Sequence, residues 1–326
     1  MQKLVEIKDL NMYYPLQSGF TFNGFGNPKQ YLRALNGINL DIYKGEILGL
    51  VGESGCGKST LGKSVLKLIN PEGFVFFENE NVLDLDTKQL KNFRKKSQMI
   101  FQNPYSSLDP RMTIYRLLRE PLVVHGIRDK QEINTRIHEI ISLVGLNEED
   151  LKRYPHEFSG GQRQRIAIAR ALILKPQFLV ADEPVSALDV SIQAQIITLL
   201  KELKDKLNLT ILFISHDLGV VKYLSDRIAV MYLGDIVELA RADELFKDPR
   251  HPYTQALISA VPSIHKKQGE EIKLTGDLPS PVNPPKACKF HTRCHYAKDI
   301  CSDIKIGEPK IIKISDSHYV KCHLYD

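Results

Sequence analysis

The segment Gly45–Thr60, GEILGLVGESGCGKST, constrains this chain more than any other. EILGLV is a short apolar run of the kind a buried strand needs, and Ser59 to Leu68 (STLGKSVLKL) has helical spacing. Between them lies a turn rich in glycine, with Gly52, Ser54, Gly55 and Gly57 leading into Lys58, Ser59 and Thr60. A strand, a glycine turn and a helix thus follow one another directly. Gly52 to Ser59 fits Gly-x-x-x-x-Gly-Lys-Ser/Thr, a pattern whose backbone N–H groups surround a β-phosphate at a helix N-terminus. In that reading Lys58 reaches the β- and γ-oxygens as a point charge, and Ser59 holds Mg²⁺. The competing reading is a glycine-rich turn that binds nothing. Cys56 occupies a variable position of the loop and takes no role.

At 326 residues the chain exceeds one compact core and implies two or three domains or subdomains. The net charge of +5 is spread along the chain without a basic block; it gives a slight argument for anionic partners beside the plainer reading of a mixed, solvated surface, and no nucleic-acid partner is expected. The longest apolar runs are strand-sized and broken by charges, too short to span a bilayer. Met1 to Ile7 alternates like a strand and lacks a signal-peptide core, which leads us to expect a cytosolic start.

Residues 4–10 (LVEIKDL) and 36–43 (NGINLDIY) alternate as half-buried strands do. Ser18 to Tyr31, rich in Gly, Asn and Phe, reads as an irregular excursion. Residues 113–146 carry helical patterns with Pro121 and Gly126 as breaks. QFLVAD and LTILFISHD are further buried strands, separated by a helical segment from Val190 to Leu207. This alternation predicts an α/β fold with a mostly parallel, covered sheet. After about residue 250 the texture changes: Pro279, Pro281, Pro284 and Pro285 crowd together, and a small appended module is expected there.

Phe178 to Glu183 is a buried strand ending in two carboxylates. Asp182 is suited to complete a Mg²⁺ shell, and Glu183 to accept a proton from an attacking water. By itself such a run is often just a strand end; the phosphate loop upstream gives it meaning. Phe158 to Arg165 (FSGGQRQR) sets Ser159, Gly160, Gly161 and Gln162 at a helix start, a second surface fit for a phosphate. One chain binding one nucleotide does not need two such surfaces, whereas a dimer with nucleotide between its subunits does.

With these elements in order, residues 1 to about 250 resemble the nucleotide-binding subunit of an ABC transporter. Gly52 to Thr60 matches the Walker A loop, and Gln102 in MIFQNP the Q-loop glutamine. FSGGQ matches the family signature, with Phe158 where leucine is usual. Asp182 and Glu183 match Walker B and the catalytic glutamate, Asp189 in SALD the D-loop, and His216 in ISHD the switch histidine. Tyr14 aligns with the aromatic residue that stacks on adenine, and Tyr13 lies beside it. The resemblance implies a P-loop core with a helical subdomain at about 103–165. It also implies a head-to-tail dimer with a paralogue or a second copy, in which Ser159 to Gln162 of one subunit meets the γ-phosphate held by Lys58 of the other. Gln102 is then expected to contact Mg²⁺ and the attacking water, and His216 to hold the γ-phosphate and position Glu183. Two transmembrane permease subunits must supply the path, meeting the segment from Gln102 to Gly126, so the chain is expected at the cytoplasmic face of the membrane.

The tail, 251–326, narrows the cargo. HPYTQAL with AVP (251–262), CKFHTRC, DIC and HYVKCHLY resemble the C-terminal extension of bacterial dipeptide and oligopeptide importers, as does the insertion before Tyr31. An extracytoplasmic peptide-binding protein is then a further partner. The same extension occurs in nickel and some glycan importers, which keeps those cargoes open. Cys288, Cys294, Cys301 and Cys322 follow C-x₅-C-x₆-C-x₂₀-C. This lacks the close pairs of zinc ribbons and tolerates an iron–sulfur cluster; the resemblance favours a 4Fe-4S cluster, with zinc or free thiols as alternatives. His291, His295 and His323 lie among these cysteines. A soluble ABC-type ATPase acting on ribosomes or DNA usually has two cassettes or a long coiled-coil insertion, and a non-hydrolysing cassette commonly lacks the acid at Glu183.

Overall fold

The computed structural model describes residues 2–16, 30–103, 107–261 and 272–326. The excursion expected from Ser18 to Tyr31 falls almost wholly outside them. Among the described residues two sheets carry the architecture. The smaller is antiparallel, in the order β2-β1-β4-β5, with β1 Lys3–Pro15, β2 Tyr31–Tyr43, β4 Glu72–Phe77 and β5 Glu80–Asn81. The larger has eight strands in the order β11-β12-β10-β9-β3-β8-β7-β6. Its members are β3 Ile47–Val51, β6 Ser97–Ile100, β7 Phe178–Asp182, β8 Thr210–Ile214, β9 Arg227–Tyr232, β10 Asp235–Arg241, β11 Ile311–Lys313 and β12 Tyr319–Lys321. From β9 through β6 every pairing is parallel, while β10, β12 and β11 are antiparallel additions at one edge.

The parallel strands are apolar throughout because both faces are covered. Ile47, Val51, Leu179, Ala181, Ile211 and Phe213 enter one core, and Leu48, Leu50, Phe178, Val180, Leu212 and Ile214 the other. This is period-two alternation in which neither side is wet. The second core is closed by Val5, Ile7, Leu35, Ile38 and Leu40 of the small sheet. Hence the N-terminal strands alternate with polar residues: only one of their faces is buried.

The first core extends into the helices Ile114–Val124, Lys130–Leu143 and Gly160–Leu172 through Leu117, Leu118, Ile137, Ile141, Ile166 and Ile168. Pro121, expected to break the pattern, instead lies inside the first of these helices, in its last turn, where few residues remain to be disrupted. Gly126, with φ of 89°, ends it. The helix expected over Ser59–Leu68 is Lys58–Val65; Lys67 turns left-handed (φ 48°) and its N–H donates to Ser64 O. Among the described residues no helix is long and apolar enough to cross a membrane.

The chain beyond 250 packs back onto the large sheet. β12 pairs with β10, and the helix Pro252–Ser259 buries Tyr253 and Ala256. Asp235 on β10 receives Lys289 and Lys321, each at 2.9 Å. The buried carboxylate of Glu238 takes the Arg250 and His251 N–H groups and lies 2.6 Å from His318 Nε2. Phe290 fits edge-on to Tyr232 (5.2 Å between centroids) and beside Tyr253 (5.5 Å). Phe290→Ala should destabilise the protein by about 3–5 kcal/mol, read as a lower urea midpoint at unchanged slope.

Candidate functional site

The carboxyl ends of β3, β7 and β8 lie side by side, and each runs into a segment singled out in the sequence. After β3 the loop folds tightly against its surroundings. A Cβ on Gly57 (φ 110°) would lie 2.3 Å from the Ala34 carbonyl oxygen, and one on Gly52 (φ 153°) 2.2 Å from that of Met231. Only glycine fits at either point. Lys58 is buried, and its Nζ donates to Gly52 O at 2.7 Å and Glu53 O at 2.9 Å. Ser54 and Gly55 are exposed at the loop tip. Burial pushes the Cys56 thiol up, so it stays protonated beneath the loop.

Ser59, in the first turn of the helix Lys58–Val65, donates its hydroxyl to Asp182 Oδ1 at 2.8 Å. Asp182 is buried at the end of β7; desolvation raises its carboxyl above the ordinary value, against the opposing pull of Ser59 and the nearby lysines. A hydroxyl and a carboxylate oxygen this close form a hard, oxygen-only pair that suits Mg²⁺.

Glu183 follows in a left-handed backbone (φ 45°), its N–H held by Ile214 O at 3.0 Å. An acid in this conformation is turned out of the strand direction, a strain that folded proteins retain where geometry matters. Its Oε2 accepts Gln102 Nε2 at 2.8 Å and lies 3.4 Å from His216 Nδ1. The loop lysine, the two carboxylates, the glutamine and the histidine thus share one edge of the sheet, although they are drawn from positions 58 to 216.

The other residues singled out in the sequence stand apart from this group in their bonding. Ser159 caps the helix Gly160–Leu172 and exchanges hydrogen bonds with Gln162, while Gly161 lets Ile192 of the helix Val190–Leu207 come so close that a Cβ would meet it at 2.5 Å. Asp189 caps that second helix; the Ile192 N–H, then Ser191, hold its carboxyl below the ordinary value. Tyr14 is exposed near the end of β1 opposite Leu32, and the neighbouring Tyr13 hydroxyl donates to Asn11 Oδ1.

Two residues reach the loop that sequence reasoning did not assign to it. The Glu53 N–H donates to the Tyr253 hydroxyl at 2.9 Å, and Arg293 contacts both Glu53 carboxylate oxygens at 2.7 and 3.0 Å. Their signal in the sequence lay in HPYT and CKFHTRC, which point to the tail and not to the loop.

Among the described residues no group of three or more His, Cys, Asp or Glu forms a site that could hold a metal ion. Neither zinc nor a cluster therefore finds a ready-made ligand set in the tail. The four cysteines nevertheless influence one another electrostatically. Burial pushes Cys322 up to about 12, and the negative charge of Cys288, Cys294 and Cys301 adds to it. Burial likewise pushes Cys288 up to about 11, and its N–H donates to Cys301 O.

A model of the ABC transporter family matches residues 35–186, and one of the oligopeptide/dipeptide transporter C-terminal region matches residues 237–301. The oligopeptide transport ATP-binding protein AppF of Bacillus subtilis (strain 168) is 49% identical over 329 residues, covering 99% of this chain and 98% of that protein. The dipeptide transport ATP-binding protein DppF of Haemophilus influenzae is 44% identical, covering 97% and 95%. Among solved structures, the dimeric post-hydrolysis state of the ATP-binding cassette MJ0796 bound to ADP and Pi superposes with a TM-score of 0.64 at 31% identity. It covers 73% of this chain and 98% of that one. CbiO1 from Clostridium perfringens, part of the ABC transporter complex cbiONQ, gives 0.65 at 27% identity over 76% and 92%.

The buried Asp182 has a measurable signature. A carboxyl whose folded pKa lies above its unfolded one favours folding in full only below the unfolded value, near about 4, and that contribution is lost as pH rises through the folded value. Asp182→Asn removes the charged form, so in metal-free buffer it should melt above wild type at pH 7, with the gap closing towards pH 4.

Proposed function

The chain belongs to the ABC transporter family, and from that premise we propose that it is the ATP-hydrolysing subunit of an importer of di- or oligopeptides. The observation that carries the reading is the carboxylate of Glu183, bonded by Gln102 and close to His216, directly after the Asp182–Ser59 pair. The oligopeptide and dipeptide subunits that match nearly the whole chain, and the tail region they share with it, favour peptide over nickel or glycan.

In this reading residues 1–250 are the nucleotide cassette, with a helical part at about 103–165, and 251–326 its extension. Tyr14 stacks on adenine. The N–H groups from Ser54 to Thr60 surround the phosphates, and Lys58 leaves the Gly52 and Glu53 carbonyls to reach the β- and γ-oxygens. Ser59, Asp182 and Gln102 would hold Mg²⁺, which would supply charge neutralisation at the phosphates. Glu183 takes a proton from water as the water oxygen bonds to the γ-phosphorus and the bridge to the β-phosphate breaks. His216 orients Glu183 and donates to the γ-phosphate. Ser159, Gly160, Gly161 and Gln162 close on the nucleotide of a second cassette, with Asp189 at the same junction. Their hydrogen bonds lie within their own helix start, which favours a partner in trans.

A cleft of about 370 Å³ beside Gln102, lined by Gln98, Phe101, Glu120, Val124 and Arg170, is where a permease docks. Phe101 and Val124 are exposed there, so the apolar surface awaits cover. The chain then works at the cytoplasmic face of the membrane, beside two permease subunits and a peptide-binding protein on the far side.

The finer part of the reading is that Cys288, Cys294, Cys301 and Cys322 hold a 4Fe-4S cluster. Its support is four buried or half-buried thiols in one module that influence one another electrostatically; ligation would require them to lose their protons.

Glu183→Gln should keep ATP binding but lower turnover by at least roughly 100-fold, measured as phosphate release; normal turnover would remove Glu183 from the water-activating role. Protein purified without oxygen should absorb broadly near about 400 nm and yield iron and sulfide. Colourless, iron-free protein with four titratable tail thiols would exclude the cluster.

A further inference from the structure

Glu53, the second residue of the phosphate loop, has all its polar groups engaged. Its carbonyl accepts Lys58 Nζ at 2.9 Å, its N–H donates to the Tyr253 hydroxyl at 2.9 Å, and its carboxylate is gripped by both terminal nitrogens of Arg293. Two of these three partners come from beyond residue 250. Tyr253 is fully buried against Tyr232 (4.8 Å) and Phe290, and its own N–H donates to His251 Nδ1 at 3.1 Å. Burial holds His251 down to about 3, so the imidazole stays neutral and keeps that acceptor. The Arg293 side chain is 8% exposed and that of Glu53 28%.

The chemistry gives this arrangement a consequence for the nucleotide. An acid in a loop that wraps a polyphosphate repels it, and the repulsion strengthens where protein displaces water. A two-pronged arginine contact neutralises the carboxylate and pins it, and an ordered loop binds without first losing freedom. We propose that Arg293 and Tyr253 are positioning residues of the nucleotide site. Through Glu53 they fix the start of the phosphate loop and screen its carboxylate, so ATP affinity depends on the tail being docked. This inference rests on the loop binding ATP, as proposed above.

The test is calorimetric titration of the full-length protein with ATP, ADP and adenosine, together with KM and kcat for hydrolysis. Arg293→Ala should weaken ATP about tenfold and raise KM by a similar factor, with little change in kcat, the mark of a contact made equally in ground and transition states. The loss should grow with phosphate charge and be absent for adenosine. Arg293→Lys, which keeps the charge but not the fork, should recover part of the affinity. Adding Glu53→Gln to Arg293→Ala should restore most of it, because the unscreened charge is gone; loosening of the tail alone could not be reversed in that way. Should Arg293→Ala fail to fold, Arg293→Lys and Tyr253→Phe carry the test, each about threefold weaker than wild type. Wild-type affinity in those variants, or a loss that Glu53→Gln does not relieve, overturns the clamp and leaves the nucleotide site standing. Wild-type protein that binds no ATP overturns the site itself, and the clamp with it.

Discussion

Three adjacent parallel strands, β3, β8 and β7, are buried on both faces, and that double burial governs what stands at their carboxyl ends. A strand packed on both faces cannot slip or tilt without disrupting the close packing of both cores. The glycine loop, the Asp182–Glu183 pair and the His216 turn are therefore carried to one edge in fixed register, the usual ligand side of an open parallel sheet. Helices on one face and the antiparallel sheet on the other supply the cover, so most of the fold serves to hold these three strand ends level.

Electrostatics at that edge are poised rather than relaxed. Asp182 is raised by burial, and its partner is a neutral hydroxyl, so the ionised form gains little within the chain. Lys58 spends its charge on two backbone carbonyls of its own loop. Glu183, left-handed and held at its N–H by Ile214, points its carboxylate at Gln102 and His216, which come from different parts of the chain.

The tail is woven into this framework. Lys289 and Lys321 converge on Asp235, His318 sits against Glu238, and β12 extends the large sheet beyond β10. With Arg293 and Tyr253 on Glu53, the last quarter of the chain touches the phosphate loop itself. The appended module read from its proline-rich texture is an edge and a brace of the main sheet, because buried ion pairs and an aromatic cluster join the two.

Local sequence alone settled the parts whose physics is local. The loop needs glycine where its own backbone turns to positive φ at Gly55 and Gly57, the buried strands need unbroken apolar runs, and Val190–Leu207 carries its helical period and its aspartate cap within its own residues. What it could not decide were the encounters between distant segments. The N-terminal strands form a sheet of their own because their single apolar face covers β3, β7 and β8, a fact no alternation pattern contains. Pro121 stays helical because packing of Leu117, Leu118 and Leu122 outweighs one lost hydrogen bond. The meeting of Gln102 with Glu183, and of Arg293 with Glu53, spans 81 and 240 residues; only the closed tertiary fold, by burying the strands between them, brings such side chains within reach.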